Sequence, residues 1–183
     1  NESNWNIHDQ GTMTVWETHI ADVTSSSTWG GTESNRHLFN GVIEEGTTYT
    51  ENGKTVKTGY DHIRELGVNT VQLVPVYDQD NNEIQKSFNW GYNPLNYNVI
   101  EGSYSSNPHD GFVRVKEFRN LVKTFNDDGI NVIMDVVYNH VSSLENSKKY
   151  FFIASRFSLL IISAKDFKVP RWYPVSVLLG SMK

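Results

Sequence analysis

Two apolar runs of eight or nine residues constrain the fold of this chain more than any other feature. Residues 68–76 (VNTVQLVPV) and 130–137 (INVIMDVV) are mostly apolar and rich in valine and isoleucine. Such runs are typical of strands buried on both faces, as in a parallel sheet. Between them, residues 115–125 place apolar side chains at helical spacing, with charged residues in between. The order strand, helix, strand predicts a βαβ unit with a right-handed crossover.

A further strand and helix are predicted ahead of this unit. Residues 15–23 (VWETHIADV) have β-forming residues at alternate positions, which predicts a strand. Thr58 is placed to cap a short helix that Gly67 would end. The helix would present three apolar residues on one face: Tyr60, Ile63 and Leu66. Repeated β/α units of this kind build either a (β/α)8 barrel or a doubly wound sheet.

The segments that follow the first two predicted strands are long. Residues 24–57 are rich in serine, threonine, glycine and asparagine, and residues 77–109 have no clear period, so both are predicted to be loops. The turns that lead from helix to strand are short by comparison. In both candidate folds the carboxyl ends of the strands form the functional site. Long loops at that end therefore predict which edge of the sheet is functional.

Composition narrows the ligand class. The net charge is −5 and the pI is about 5.6, so a nucleic acid is not an expected partner. Aromatic residues make up 13% of the chain, and their flat faces suit the apolar faces of sugar rings. No cysteine is present, which excludes disulfides and thiolate metal sites without identifying the compartment. The apolar stretch at 150–163 is too short for a membrane span, so no membrane partner is expected.

Several segments together resemble one enzyme family. Residues 135–140 (DVVYNH) are similar to the first signature region of the α-amylase superfamily, glycoside hydrolase family 13, which closes the third barrel strand. Residues 88–94 (FNWGYNP) resemble the type I pullulanase signature, usually Tyr-Asn-Trp-Gly-Tyr-Asp-Pro, from which Phe88 and Asn93 depart. Two more stretches are similar to the family: EGSYS at 101–105 and LGV through QLVPV at 66–76.

The resemblance implies a fold and a function. It implies the N-terminal portion, about three β/α units, of a (β/α)8 TIM barrel. It also implies retaining hydrolysis of α-1,6-glucosidic branch linkages in starch, glycogen or pullulan, with an α-glucan as partner. No cofactor is expected. Calcium, which some amylases bind through the residue matching Asn139, is not predicted.

The resemblance also implies roles for individual residues. Tyr92 would stack on the sugar in the reacting subsite, and His140 would hydrogen-bond one of its hydroxyls. Asp135 would orient the site by pairing with an arginine later in the chain. Trp90 and Asn139 would line the site. Each has a structural alternative: His140 could hold a strand end, Asp135 could be a structural acid, the aromatic rings could pack the loop, and Asn139 could be a turn residue.

The carboxylates that perform the reaction are not assigned in this chain. In the family they lie at the ends of strands four, five and seven, whereas this chain is expected to reach only strand three. Residues 1–147 are interpreted as a partial catalytic barrel that is inactive alone. Residues 148–183 differ, with seven basic residues and one acid, Asp166. They are interpreted as a truncated or frame-shifted end, or as a segment whose apolar run docks on the partial barrel.

Three other functional classes compete with the hydrolase interpretation. A non-catalytic carbohydrate-binding module would use the same aromatic residues without catalytic acids. A nucleotide-binding domain would need G-x-G-x-x-G after the first strand, where the chain offers only Gly30-Gly31. A structural remnant would keep the signatures without activity.

Overall fold

The computed structural model describes residues 10–143. This part of the chain contains seven strands in chain order: β1 (Val15–Thr18), β2 (Thr48–Glu51), β3 (Lys54–Lys57), β4 (Thr70–Leu73), β5 (Tyr77–Gln79), β6 (Pro94–Ile100) and β7 (Asn131–Met134). It also contains three α-helices: α1 (Phe39–Val42), α2 (Gly59–Leu66) and α3 (Gly111–Asp127). Residues 1–9 and 144–183, including the basic segment considered above, lie outside the described residues.

The central sheet is parallel and has β4 in the middle, in the order β1-β4-β7. Glu17 of β1 pairs with Gln72 of β4, and Gln72 pairs with Ile133 of β7. Helix α2 precedes β4 in the chain, and α3 precedes β7. The predicted succession of β/α units is therefore confirmed. All three strands end at the same edge, where long connections follow β1 and β4.

The predicted strands are longer than the observed ones. The first ends at Thr18 rather than at residue 23, and Asp22–Thr24 forms a 3-10 turn. The turn forms because the carbonyl of His19 accepts the amides of Asp22 and Val23 at 3.1 and 3.4 Å. Those local bonds take the place of ladder bonds to a neighbouring strand. The alternating pattern of residues 15–23 therefore predicted the element correctly but not its end.

Two antiparallel hairpins interrupt the segments that were predicted to be loops. In one, Tyr49 of β2 pairs with Val56 of β3, and the two strands are joined by Asn52 and Gly53. In the other, Tyr77 of β5 pairs with Ile100 of β6. An Asn-Gly pair between β-forming residues is a strong hairpin signal, so the first hairpin was predictable from the sequence.

The helices pack on one face of the sheet. The hydrophobic core between sheet and helices includes Val71 and Leu73 from β4 and Leu121 and Phe125 from α3, all fully buried. Tyr60 of α2 meets Phe125 edge-on with 5.2 Å between ring centroids. These contacts position the strand ends that the site uses, because they hold both helices against the sheet.

Local signals for the helix ends were partly correct. Gly67 ends α2 in the left-handed conformation, as predicted. Thr58 precedes α2, but its side chain does not cap the helix and instead donates to the carbonyl of Trp29. Of the three apolar residues expected on one face of α2, Tyr60 and Ile63 are buried and Leu66 is 50% exposed. Asp110 caps α3, accepting the amide of Phe112 at 2.8 Å.

The second face of the sheet is only partly covered by the described residues. Val15 is 48% exposed on this face, although a valine in a parallel strand is usually buried. Glu17 and Gln72 lie on the same face and hydrogen-bond to each other at 3.0 Å. Within residues 10–143, no helix combines the length and apolar character needed to cross a membrane.

Candidate functional site

Tyr92 and Asp135 meet at the carboxyl-end edge of the sheet. Asp135 follows β7 directly, and Tyr92 lies in the segment between β5 and β6. The Tyr92 hydroxyl donates to the Asp135 carboxylate at 2.6 Å. This hydrogen bond, with a smaller contribution from burial, raises the pKa of Tyr92 to about 12. Tyr92 is therefore a neutral donor at physiological pH, and its ring is held over the mouth of the third parallel strand.

His140 joins the same place from the segment after β7. Its Nε2 atom lies 2.9 Å from the backbone carbonyl of Tyr92, and its Nδ1 atom contacts the side-chain oxygen of Asn139. The carbonyl of His140 in turn accepts the hydroxyl of Tyr97 on β6. The structure thus brings four of the five predicted site residues into one connected group. Their side chains remain open to solvent, as a binding surface requires.

Trp90 is the fifth predicted site residue. Its side chain is 61% exposed and meets Phe88 edge-on, with 5.7 Å between ring centroids. Phe88 in turn lies 5.0 Å from the ring of His19. Phe88 thus connects the ring of Trp90 to the segment that follows β1. Trp90 thus offers an exposed aromatic side chain two residues before Tyr92 in the chain.

The segment with Trp90 and Tyr92 passes very close to the end of β4. Gly91 has a φ of +86°, and a β-carbon at this position would lie 2.6 Å from the carbonyl oxygen of Pro75. Only glycine fits such an approach, since a side chain would meet backbone atoms that cannot move aside easily. Gly91 therefore sets how closely the aromatic segment approaches the strand ends.

A cluster of tyrosines supports the segment after β7, and sequence analysis did not predict it. The hydroxyls of Tyr77 and Tyr138 lie 2.9 Å apart, and the ring of Tyr97 packs against Tyr138 at 5.3 Å. Burial, followed by the bond to Tyr138, raises the pKa of Tyr77 to about 12. The missed signal was Tyr138 inside the DVVYNH motif, which places a third ring beside the two hairpin tyrosines.

Three carboxylates beside the β5–β6 hairpin approach one another. Oxygens of Asp78, Glu83 and Glu101 lie within 4.8 Å. Arg114 donates to both oxygens of Glu83 at 2.6 Å, and the two oxygens of buried Glu101 accept backbone amides at 2.9 Å. Burial raises the pKa of Asp78 and of Glu101. The three carboxylates and their partners therefore form a structural junction that holds the β5–β6 hairpin against α3.

The arrangement is suited to binding an uncharged, hydroxyl-rich ligand. Tyr92 and Trp90 expose ring faces that can pack on the CH groups of a sugar. The imidazole of His140 and the amide of Asn139 can exchange hydrogen bonds with hydroxyls. Asp135 is partly exposed rather than buried, and it has a hydrogen-bond donor in Tyr92. Asp135 is therefore a hydrogen-bonded carboxylate at the rim of the sheet.

Comparison with known proteins identifies the family that this chain resembles. The family described as "Alpha amylase, catalytic domain" matches residues 51–175. The pullulanase of Bacillus subtilis is 39% identical over 136 residues, which are 73% of this chain and 18% of that protein. The solved pullulanase of Paenibacillus barengoltzii in complex with maltohexaose and α-cyclodextrin is 42% identical, with a TM-score of 0.65. The match covers 72% of the present chain and 20% of the Paenibacillus barengoltzii chain.

A second solved structure gives the same result. The pullulanase of Anoxybacillus sp. LM18-11 in complex with maltotriose is 41% identical, with a TM-score of 0.67, over 74% of this chain and 19% of that chain. The present chain thus spans about a fifth of the length of the relatives it matches. Its three parallel strands and their helices correspond to a part of the (β/α)8 barrel of those enzymes.

Proposed function

Because this chain belongs to the α-amylase family of glycoside hydrolases and resembles its pullulanases, we propose that it forms the glucan-binding rim of a debranching enzyme that cleaves α-1,6-glucosidic linkages. Residues 10–143 would hold the sugar next to the bond that is cut. The solved relatives in complex with maltohexaose and maltotriose make an α-glucan the natural ligand class.

One observation supports this proposal above the others. The Tyr92 hydroxyl donates to Asp135, and His140 contacts the Tyr92 carbonyl, so residues from the ends of two neighbouring strands form one rim. In a β/α barrel, this end of the strands is where substrates bind. A phenol and an imidazole can exchange hydrogen bonds with hydroxyl groups, whereas a phosphate or carboxylate ligand would require cationic partners.

Each rim residue has a role in the proposal. Tyr92 stacks on the glucosyl unit in the reacting subsite, and His140 hydrogen-bonds one of its hydroxyls. Asp135 holds the phenol of Tyr92 in position, and Asn139 contacts a hydroxyl beside His140. Trp90 packs on a neighbouring sugar ring, because its side chain is exposed two residues before Tyr92 in the same segment.

The bond-breaking step requires two more carboxyl groups. A retaining glycosidase needs a nucleophile and a proton donor about 5–5.5 Å apart. We assign neither role to a residue of 10–143, where Asp135 already accepts the Tyr92 hydroxyl. In this proposal the nucleophile and the proton donor come from sequence outside residues 10–143, and the described segment contributes substrate binding.

The binding role is tested by titrating the 183-residue chain with maltotetraose and following amide signals by NMR. Replacing Tyr92 with alanine removes the stacking face, and we expect roughly fivefold to tenfold weaker binding. Tyr49→Ala is the matched control, since Tyr49 lies on the β2–β3 hairpin away from the rim. Equal affinities for the two variants, or no binding by the unmodified chain, would contradict the proposed role.

A pullulan assay on the same preparations separates binding from hydrolysis. We expect no reducing sugar to be released, because the proposal places only binding groups in residues 10–143. Release of reducing sugar that is lost on Asp135→Asn would instead assign a catalytic role to Asp135. That result would contradict the division between binding and bond breaking.

A further inference from the structure

The geometry points to His19 as a positioning residue for the segment that holds Trp90 and Tyr92. His19 is 5% exposed and follows β1 directly, whereas the aromatic segment follows β5. Its Nε2 atom lies 2.8 Å from the backbone carbonyl of Asn89. His19 thus connects the end of β1 to the loop that contains Asn89, which lies between β5 and β6. Its effect on glucan binding rests on the proposed function, while its effect on the loop does not.

The neighbours of His19 select one tautomer of the imidazole. The amide of Ala21 donates to Nδ1 at 3.1 Å, so Nδ1 has no hydrogen. In the neutral ring the hydrogen is then on Nε2, where it points at the Asn89 carbonyl. The Tyr104 hydroxyl also lies 2.9 Å from Nε2 and accepts the side-chain amide of Gln79 at 3.1 Å. Each ring nitrogen therefore has a defined partner.

Packing supports the same assignment. The ring of His19 lies 5.0 Å from Phe88 and meets Tyr104 edge-on at 5.5 Å. Phe88 contacts Trp90, so His19 supports both the backbone and the aromatic side chains of this segment. A buried histidine with both ring nitrogens hydrogen-bonded has little freedom, because turning the ring would break several hydrogen bonds at once.

The consequence concerns where Tyr92 can lie. Asn89 is three residues before Tyr92, and the Asn89 side chain accepts the amide of Gly91 at 3.0 Å. Fixing the Asn89 carbonyl therefore limits the freedom of Gly91 and of the residue that follows it. His19 lies outside the group formed by Tyr92, Asp135 and His140, so it acts through the loop rather than by touching a sugar.

The first test needs no substitution. Nitrogen-15 NMR of the imidazoles in the 183-residue chain distinguishes a protonated from an unprotonated ring nitrogen. We expect His19 to be in the Nε2–H form. The Nδ1–H form would be incompatible with the hydrogen bond from Ala21 and would overturn the inference.

The second test compares two polar replacements of similar size. In His19→Gln the side-chain amide nitrogen takes the place of Nε2, whereas in His19→Asn the shorter side chain reaches only the place of Nδ1. We expect the Gly91 amide to exchange with solvent about fivefold to tenfold faster in His19→Asn than in the unmodified chain, the effect of losing one buried hydrogen bond. In His19→Gln it should stay within about twofold of the unmodified rate, since the donor is kept.

Two controls separate positioning from general destabilisation. The amide of Leu121, in the middle of α3, should exchange at the same rate in both variants. Substituting His62, which is exposed on α2, should leave Gly91 exchange unchanged. Equal Gly91 rates in the Gln and Asn variants, or faster exchange at Gly91 and Leu121 alike, would refute a positioning role.

The same samples distinguish this inference from the proposed function. If the unmodified chain does not bind maltotetraose but the Gly91 rates differ as expected, the proposed function fails and the positioning role stands. If the chain binds maltotetraose but the Gly91 rates do not differ, the positioning role fails alone. If both hold, His19→Asn should bind maltotetraose several-fold more weakly than His19→Gln.

Discussion

Replacing Gly91 with alanine tests whether close contact with the end of β4 positions the aromatic segment. The new β-carbon would lie 2.6 Å from the Pro75 carbonyl oxygen and 3.0 Å from both the Pro75 β-carbon and Gln79 Oε1. Those atoms belong to the backbone or to a buried side chain, so the loop rather than its neighbours should move. Gly67→Ala is the matched control, because Gly67 also has a positive φ, +70°, but has nothing within 4 Å of the added atom.

The magnitude follows from two separate costs. A non-glycine residue in the left-handed region costs roughly 1–2 kcal/mol, and both variants bear that cost. Forcing an extra carbon into a packed region costs roughly 1–3 kcal/mol more, and only Gly91→Ala bears this second cost. We therefore expect Gly91→Ala to lower the free energy of unfolding by roughly 1–3 kcal/mol more than Gly67→Ala does.

Two measurements check this expectation. Urea denaturation followed by circular dichroism gives the free energies of unfolding for both variants and the unmodified chain. Titration of the phenol absorbance, taken as a difference from Tyr92→Phe, gives the pKa of Tyr92. In Gly91→Ala this pKa should fall from about 12 towards the ordinary value of 10.0, because the contact with Asp135 is lost. Equal unfolding free energies for the two alanine variants, with the Tyr92 pKa unchanged, would refute the reasoning.

Three further predictions concern single contacts. Asp135→Asn removes the carboxylate acceptor and should lower the pKa of Tyr92 from about 12 towards 10.0 without unfolding the chain. An unchanged pKa in the phenol titration would be inconsistent with the 2.6 Å bond between Tyr92 and Asp135. Burial raises the pKa of Glu101 above 4.5, so the folded chain takes up a proton before the unfolded chain does as the pH falls. Its free energy of unfolding should therefore rise between neutral pH and pH 4.5 relative to Glu101→Gln, whereas parallel urea-derived pH profiles would contradict this. Leu121→Ala leaves a cavity beside α3 and should cost roughly 2–5 kcal/mol in the same urea assay, and a cost below roughly 1 kcal/mol would mean that α3 is not part of the core.

The parallel sheet was predictable from the sequence because its strands depend on local apolar composition. The runs at 68–76 and 130–137 contain β4 and β7, and the helix between them has the predicted spacing. The ends of the strands were not predictable, since they depend on hydrogen bonds such as those that the His19 carbonyl accepts. The β5–β6 hairpin was missed for a related reason. Its pairing is irregular around Asp78, so no simple alternation marks it in the sequence.

The candidate site was predictable only where a motif supplied it. Tyr92, Asp135 and His140 were named from two short signatures, and the structure brings them together at one edge. The residues that hold them there lie in other parts of the sequence. His19 precedes Asn89 by 70 positions, and Glu83 precedes Arg114 by 31. Contacts over such separations depend on the folded chain and leave no periodic signal.

The bond between His140 and the carbonyl of residue 92 has a consequence for substitutions at that position. It uses the main chain, which every amino acid supplies, so a different side chain at position 92 would leave this junction intact. In the proposed function, a substitution at position 92 would change the contact with the sugar while this main-chain bond persists. Recognition and assembly at this rim would then depend on different atoms of the same residue.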